Sequence, residues 1–161
     1  MIGNDVVDLD LALKESNWKR KGFLTKVFTD FEQNLIQKAT NKDEMVWTLW
    51  SLKESVYKAS QRIFYVQGFF PKKIAVVALN KNKDSVTFYD NKKFYGKTSI
   101  ERNCLHSFVV IKKEDFNFIL NLESKTYEKD GNGLPFEKES KIPLSVSHHG
   151  QYLKIIGLSN H

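Results

Sequence analysis

Carboxylates, lysines and an imidazole are the side chains here whose types can hold a cation, neutralise phosphate and move protons. Glu54 and Lys58 lie four apart in Trp50-Ser51-Leu52-Lys53-Glu54-Ser55-Val56-Tyr57-Lys58-Ala59. That stretch holds no Gly or Pro and spaces its apolar residues at helical intervals, so both side chains share a helix face next to Trp50. By itself, a Glu-to-Lys pair at this spacing is usually a solvated surface pair. Asp5 lies within Ile2-Gly3-Asn4-Asp5-Val6-Val7-Asp8-Leu9, which alternates loosely like a short strand. Asp is poor in strands, so its place there marks an exposed strand end or a site. Late in the chain, Leu144-Ser145-Val146-Ser147-His148 adds two hydroxyls and an imidazole.

The elements that must carry these residues are partly legible. Residues 2–9 read as a strand. Thr29-Asp30-Phe31-Glu32 has the form of a capping box and opens a helix to about Ala39. Asn41, with Glu44 three residues later, launches a long helix to about Gln61 or Arg62. Met45, Val46, Leu49, Leu52 and Val56 give that helix a stripe to bury against a sheet, and Trp47 reads as core. Lys73–Leu79 and Ser85–Tyr89 flank the turn residues 80–84 and predict a hairpin. A second hairpin is expected from Cys104–Ile111 and Phe116–Leu122. A third is expected from Leu144–Ser147 and Tyr152–Leu158, turning at His149-Gly150. Glu123–Lys141 reads as a polar loop. Helices early and strands late predict an α+β fold with antiparallel pairing, in a single domain over 1–161.

With 161 residues, 41% of them hydrophobic and 27% charged, the chain has room for a core without staples. No apolar run is long enough for a membrane span, and the N-terminal residues lack a signal-peptide layout. The single cysteine, Cys104, permits no internal disulfide and fits a small core residue in a reducing cytoplasm. A net charge of +6 favours an anionic partner: nucleic acid, a phosphate-rich cofactor or an acidic protein.

Three segments in this order resemble the 4′-phosphopantetheinyl transferases of the holo-acyl-carrier-protein synthase type. Gly3, Asp5 and Asp8 fit the family's first motif. Trp50, Lys53, Glu54, Ser55, Lys58 and Ala59 fit its helical motif, and Ser145, Ser147 and His148 fit its last. Phe23–Glu32 and Asn132-Gly133-Leu134-Pro135-Phe136 resemble two weaker family stretches.

The resemblance implies a long helix on a small, strongly curved antiparallel sheet. It also implies transfer of phosphopantetheine from coenzyme A to a serine of an acidic apo carrier protein, with release of 3′,5′-ADP. Asp5 and Glu54 match the family's Mg²⁺ ligands. Lys58 would meet the coenzyme A phosphates, and Lys53 would pair with a carboxylate or a substrate phosphate. Ser147 and His148 match the pair near the 3′-phosphate, and Asp8 becomes a candidate outer neighbour of the metal. The base is the helix glutamate or a metal-bound water. The basic run Lys19-Arg20-Lys21 falls where the family docks its carrier. One copy of each motif implies half of a two-copy enzyme, completed in a homotrimer by a neighbouring chain.

The chain departs from the family in three places. Ser60-Gln61-Arg62 follows Ala59 where a Gly-x-Gly turn is usual, Pro143 stands where His is common, and Val7 replaces a glutamate of the monomeric type. Extra material is expected at about residues 76–126. Competing readings are a basic nucleic-acid-binding domain, suggested by charge and 13% aromatic content, and a catalytically silent relative. A hydrolase using Asp5, His148 and His149 is disfavoured, because adjacent strand residues point to opposite faces.

Overall fold

The computed structural model describes residues 1–64 and 68–159. The chain begins with β1 (Ile2–Asp8), which runs into α1 (Leu9–Glu15). Then come α2 (Phe23–Val27), α3 (Asp30–Lys38) and the 23-residue α4 (Lys42–Phe64). Four strands follow: β2 (Ala75–Leu79), β3 (Asp84–Tyr89), β4 (Lys92–Glu101) and β5 (Cys104–Val110). After a 3₁₀ turn at Lys113–Phe118 come β6 (Ile119–Asn121), β7 (Tyr127–Lys129) and β8 (Pro135–Glu137). The hairpin of β9 (Leu144–His149) and β10 (Tyr152–Leu158) closes the described chain.

Local chemistry explains the helices. Thr29 and Glu32 make both bonds of the capping box at the start of α3, and Asn41 Oδ1 accepts the Glu44 N–H at the start of α4. The stripe Val46, Leu49, Leu52, Val56 and Ala59 along α4 is fully buried. It packs with Val7, Phe94, Leu105 and Val109 in one core.

The main sheet is antiparallel in the order β1-β5-β4-β3-β2. A second, three-stranded sheet, β6-β10-β9, contributes Ile156 to a smaller cluster with Ile2 and Val110. At the seam between β1 and α4, a Cβ on Gly3 would overlap the Ser55 carbonyl oxygen and lie 2.7 Å from the Ala59 nitrogen. The absent side chain is what lets the strand lie directly on the helix backbone.

The α+β architecture and the long helix on an antiparallel sheet are as expected. The first and third hairpins are present as β2–β3 and β9–β10, although β9 extends through His149. The second is not: β5 pairs with β4 and β1, and β6, lying within the strand expected at 116–122, pairs with β10 instead. Two short helices, α1 and α2, were not foreseen, nor was the β7–β8 pair inside the polar loop.

Candidate active site

Asp5 lies mid-strand on β1, and Glu54 and Lys58 lie one turn apart on α4. The close contact at Gly3 brings them together. Lys58 Nζ donates to Asp5 Oδ1 at 3.1 Å. The Ser147 hydroxyl donates to the same oxygen at 2.9 Å. Among the described residues, Asp5 Oδ2 and both Glu54 oxygens take no hydrogen bond. Burial, then the nearby charge of Asp5, pushes the Glu54 carboxyl up to about 7 against the opposing pull of Lys58. Two carboxylates turned toward one space, with oxygens to spare, form a donor set for a hard cation. Mg²⁺ takes one or two carboxylates and completes its shell with water and phosphate. Among the described residues, no cluster of three or more His, Cys, Asp or Glu side chains could hold a metal.

These groups face a cleft of about 460 Å³ with a polar and an aromatic end. Asp5, Glu54, Lys58, Ser147 and the exposed His148 form the polar end. Trp18, Phe23, Trp47 and Trp50 form the aromatic end. Phe23 stacks on Trp50, and the Arg20 guanidinium lies 4.7 Å from the Phe23 ring centre. Lys58 and Val146 also line a neighbouring cavity of about 240 Å³, together with Arg62, Lys129, Tyr127 and Pro135. Arg62 is tied to the Pro135 and Leu144 carbonyls, so α4 reaches the Asn132–Phe136 turn. Helix continues through Ser60-Gln61-Arg62, the stretch that stands in place of a Gly-x-Gly turn.

Strand β9 reaches β1 through side chains. Ser145 Oγ accepts the Asn4 N–H at 2.8 Å, Ser147 Oγ the Val6 N–H at 3.0 Å, and His149 Nδ1 the Asp8 N–H at 2.9 Å. Across the pairing to β5, Asn4 Nδ2 meets His106 Nε2 at 3.1 Å. Burial pushes His106 down to about 4, so at neutral pH its uncharged ring can accept there. The Ser145-x-Ser147-x-His149 alternation was visible in the sequence, but its role as a clasp on β1 was missed. So was the tie from Arg62 to the Pro135 and Leu144 carbonyls, because Arg62 carries no motif.

Asp5, Glu54, Lys58, Ser147 and His148 therefore meet in one cleft of one chain. The Ser-x-Ser-His segment thus reaches the carboxylates within a single chain. Lys53 does not join them. It is fully buried, pairs with the equally buried Glu32 at 2.7 Å, and donates to the Pro71 and Ile74 carbonyls. It pairs with a carboxylate, as one expectation had it, and lies out of reach of a substrate phosphate. Asp8 is not among the side chains that line the cleft: it caps α1 by accepting the Leu11 N–H and also accepts the Gln151 N–H.

The fold is α+β, with an acidic pair and a lysine at the seam between a long helix and an antiparallel sheet. A family model described as ACPS, 4′-phosphopantetheinyl transferase superfamily, matches residues 1–111, and the chain belongs to that superfamily of transferases. The match spans most of the segment expected to be additional and stops before β6–β10, so Ser147 and His148 lie outside it. The fold is similar to that of the holo-[acyl-carrier-protein] synthase from Neisseria meningitidis. The two share 18% identity with a TM-score of 0.56, over 70% of this chain and 97% of that one. It is also similar to the Helicobacter pylori synthase solved in complex with coenzyme A. There the identity is 16% and the TM-score 0.54, over 70% of this chain and all of that one. The Thermotoga maritima synthase covers more of this chain, 88%, at 18% identity and a TM-score of 0.52. No curated protein sequence matches the chain.

Proposed function

We propose that this chain transfers 4′-phosphopantetheine from coenzyme A to a serine of an acidic apo carrier protein, in a Mg²⁺-dependent reaction that releases 3′,5′-ADP. The observation that carries this reading is the meeting of Asp5, Glu54 and Lys58 in one cleft of a chain belonging to the transferase superfamily. In the reaction, the serine oxygen bonds to the pantetheine-side phosphorus of the diphosphate. The bond from that phosphorus to the bridging oxygen breaks, and the nucleotide departs with the other phosphate.

Asp5 and Glu54 would hold Mg²⁺, which when bound neutralises the charge developing on the diphosphate. Lys58 offers a point charge to the same phosphates without leaving the cleft. Glu54, as a carboxylate, is a base that can accept the serine proton. His148, exposed on the cleft wall, would meet a further phosphate of the cofactor. The neighbouring cavity, with Arg62 and Lys129 and with Lys58 on the shared wall, suits the anionic nucleotide end of a long ligand. Arg20 on the cleft wall, flanked by exposed Lys19 and Lys21, offers positive charge to an acidic carrier.

Chromatography of the nucleotide product tests the reading. 3′,5′-ADP should appear only when coenzyme A, an apo carrier and Mg²⁺ are all present. Release without a carrier would point to a hydrolase instead.

A further inference from the structure

Ser147 uses its hydroxyl twice. The oxygen accepts the Val6 N–H at 3.0 Å, and the proton goes to Asp5 Oδ1 at 2.9 Å. A serine hydroxyl has one proton to give. With that proton on Asp5 and the residue 4% exposed, no donor remains for a phosphate. We infer that Ser147 is a positioning residue for the Asp5 carboxylate and not a contact to the 3′-phosphate of coenzyme A. The inference rests on the reading of Asp5 as a metal ligand.

The surrounding pattern explains why a hydroxyl stands there. Strand β1 is an edge of the five-stranded sheet, with every second N–H turned away from β5. Buried N–H groups need acceptors. Ser145, Ser147 and His149, at every second residue of β9, supply them to Asn4, Val6 and Asp8. Of these three side chains, Ser147 also reaches a cleft carboxylate. Lys58 Nζ approaches the same Oδ1 at 3.1 Å, so that oxygen is held from strand and helix together. The Asp5 rotamer is thereby fixed, and Oδ2 stays free for a cation. A contact to a remote phosphate and a brace on the metal ligand make opposite demands of this hydroxyl, which separates them experimentally.

The experiment compares wild type, Ser147→Ala, Ser147→Thr, Ser145→Ala and Asp5→Ala. Mn²⁺ binding is followed by electron paramagnetic resonance with coenzyme A present. The Mg²⁺ concentration for half-maximal rate is measured with coenzyme A and with dephospho-coenzyme A. Ser147→Ala should weaken Mn²⁺ binding and raise the Mg²⁺ requirement about tenfold, the scale of a lost hydrogen bond to a charged group. The factor should be the same with both cofactors. Ser147→Thr, which keeps the hydroxyl, should restore both readouts. Ser145→Ala removes a clasp bond made to the Asn4 N–H and not to the Asp5 carboxylate, so it should lower the melting temperature without changing the metal requirement. Wild-type Mn²⁺ affinity in Ser147→Ala, or a penalty that vanishes with dephospho-coenzyme A, would overturn the inference. If Asp5→Ala also binds Mn²⁺ like wild type, the metal-ligand reading falls with it. If Asp5→Ala alone loses binding, only the positioning role falls. Should Ser147→Ala fail to fold, Ser147→Cys carries the same comparison with a weaker donor of similar size.

Discussion

Glu54 is the residue at which environment and chemistry are most closely tied. Its carboxyl sits at about 7 because burial and the Asp5 charge both disfavour ionisation, and Lys58 only partly offsets them. Cation binding needs the carboxylate form. Protons should therefore compete with Mg²⁺ below about pH 7, and the competition should disappear above it. The Mg²⁺ concentration for half-maximal rate is expected to rise roughly tenfold per pH unit as pH falls below that point. In Glu54→Gln, Mn²⁺ binding followed by electron paramagnetic resonance should be weaker and lose that pH dependence. A Mg²⁺ requirement flat from pH 6 to 8 would mean that Glu54 does not compete for the metal.

Lys53 sits one residue from Glu54 and belongs to a different part of the molecule. Glu32 caps α3 by accepting the Thr29 N–H at 2.8 Å, accepts the Val76 N–H of β2 at 2.7 Å, and pairs with Lys53 of α4. One buried ion pair thus joins two helices and a strand. Burial lowers the Lys53 pKa, with Glu32 pulling it back up. Removing the lysine leaves the carboxylate buried and unpaired. Lys53→Ala should then cost roughly 3–5 kcal/mol of stability, read by denaturant titration, while the Michaelis constant for coenzyme A stays near wild type. Unchanged stability with a raised constant for coenzyme A would return Lys53 to the cofactor site.

The same elements show what the sequence could reveal. Helix α4, the capping box and the β2–β3 and β9–β10 hairpins follow from local signals: caps, apolar stripes and turn residues. Strand β4 did not stand out. Its inward positions are Phe94, Gly96, Thr98 and Ile100, so apolar alternation is diluted by a glycine and a threonine. The two-residue turn before it, Asp90-Asn91, has positive φ at both residues and is itself a hairpin signal. Overlooking that turn left β5 without its neighbour and assigned it the wrong one. Asp5, Glu54, Lys58 and His148 were legible through motifs. The buried fate of Lys53 and the clasp of Ser147 on Asp5 depend on residues far apart in sequence, and no local pattern encodes them.

At the scale of the whole molecule, charge decides how a partner approaches. The chain carries a net charge of +6, and Lys19 and Lys21 are exposed beside Arg20 on the cleft wall. Reversing Lys19 and Lys21 to Glu should lower kcat/KM for an acidic carrier at low salt by about tenfold or more and flatten its salt dependence. Coenzyme A binding, measured by calorimetry, should stay intact. Equal rates at low salt would move the docking surface elsewhere. No described helix is long and apolar enough to cross a membrane.

The central claim is that Asp5 and Glu54 together carry phosphopantetheine transfer, and intact-mass measurement of a carrier tests it most directly. Apo carrier proteins of fatty-acid, polyketide and peptide-synthetase types would be incubated with coenzyme A, Mg²⁺ and wild type, Asp5→Ala or Glu54→Gln. Wild type should add one phosphopantetheine to at least one carrier, and each variant, folded by circular dichroism, should lose nearly all of that gain. A wild-type chain that modifies no carrier, or a folded variant that modifies one at the wild-type rate, would contradict the account.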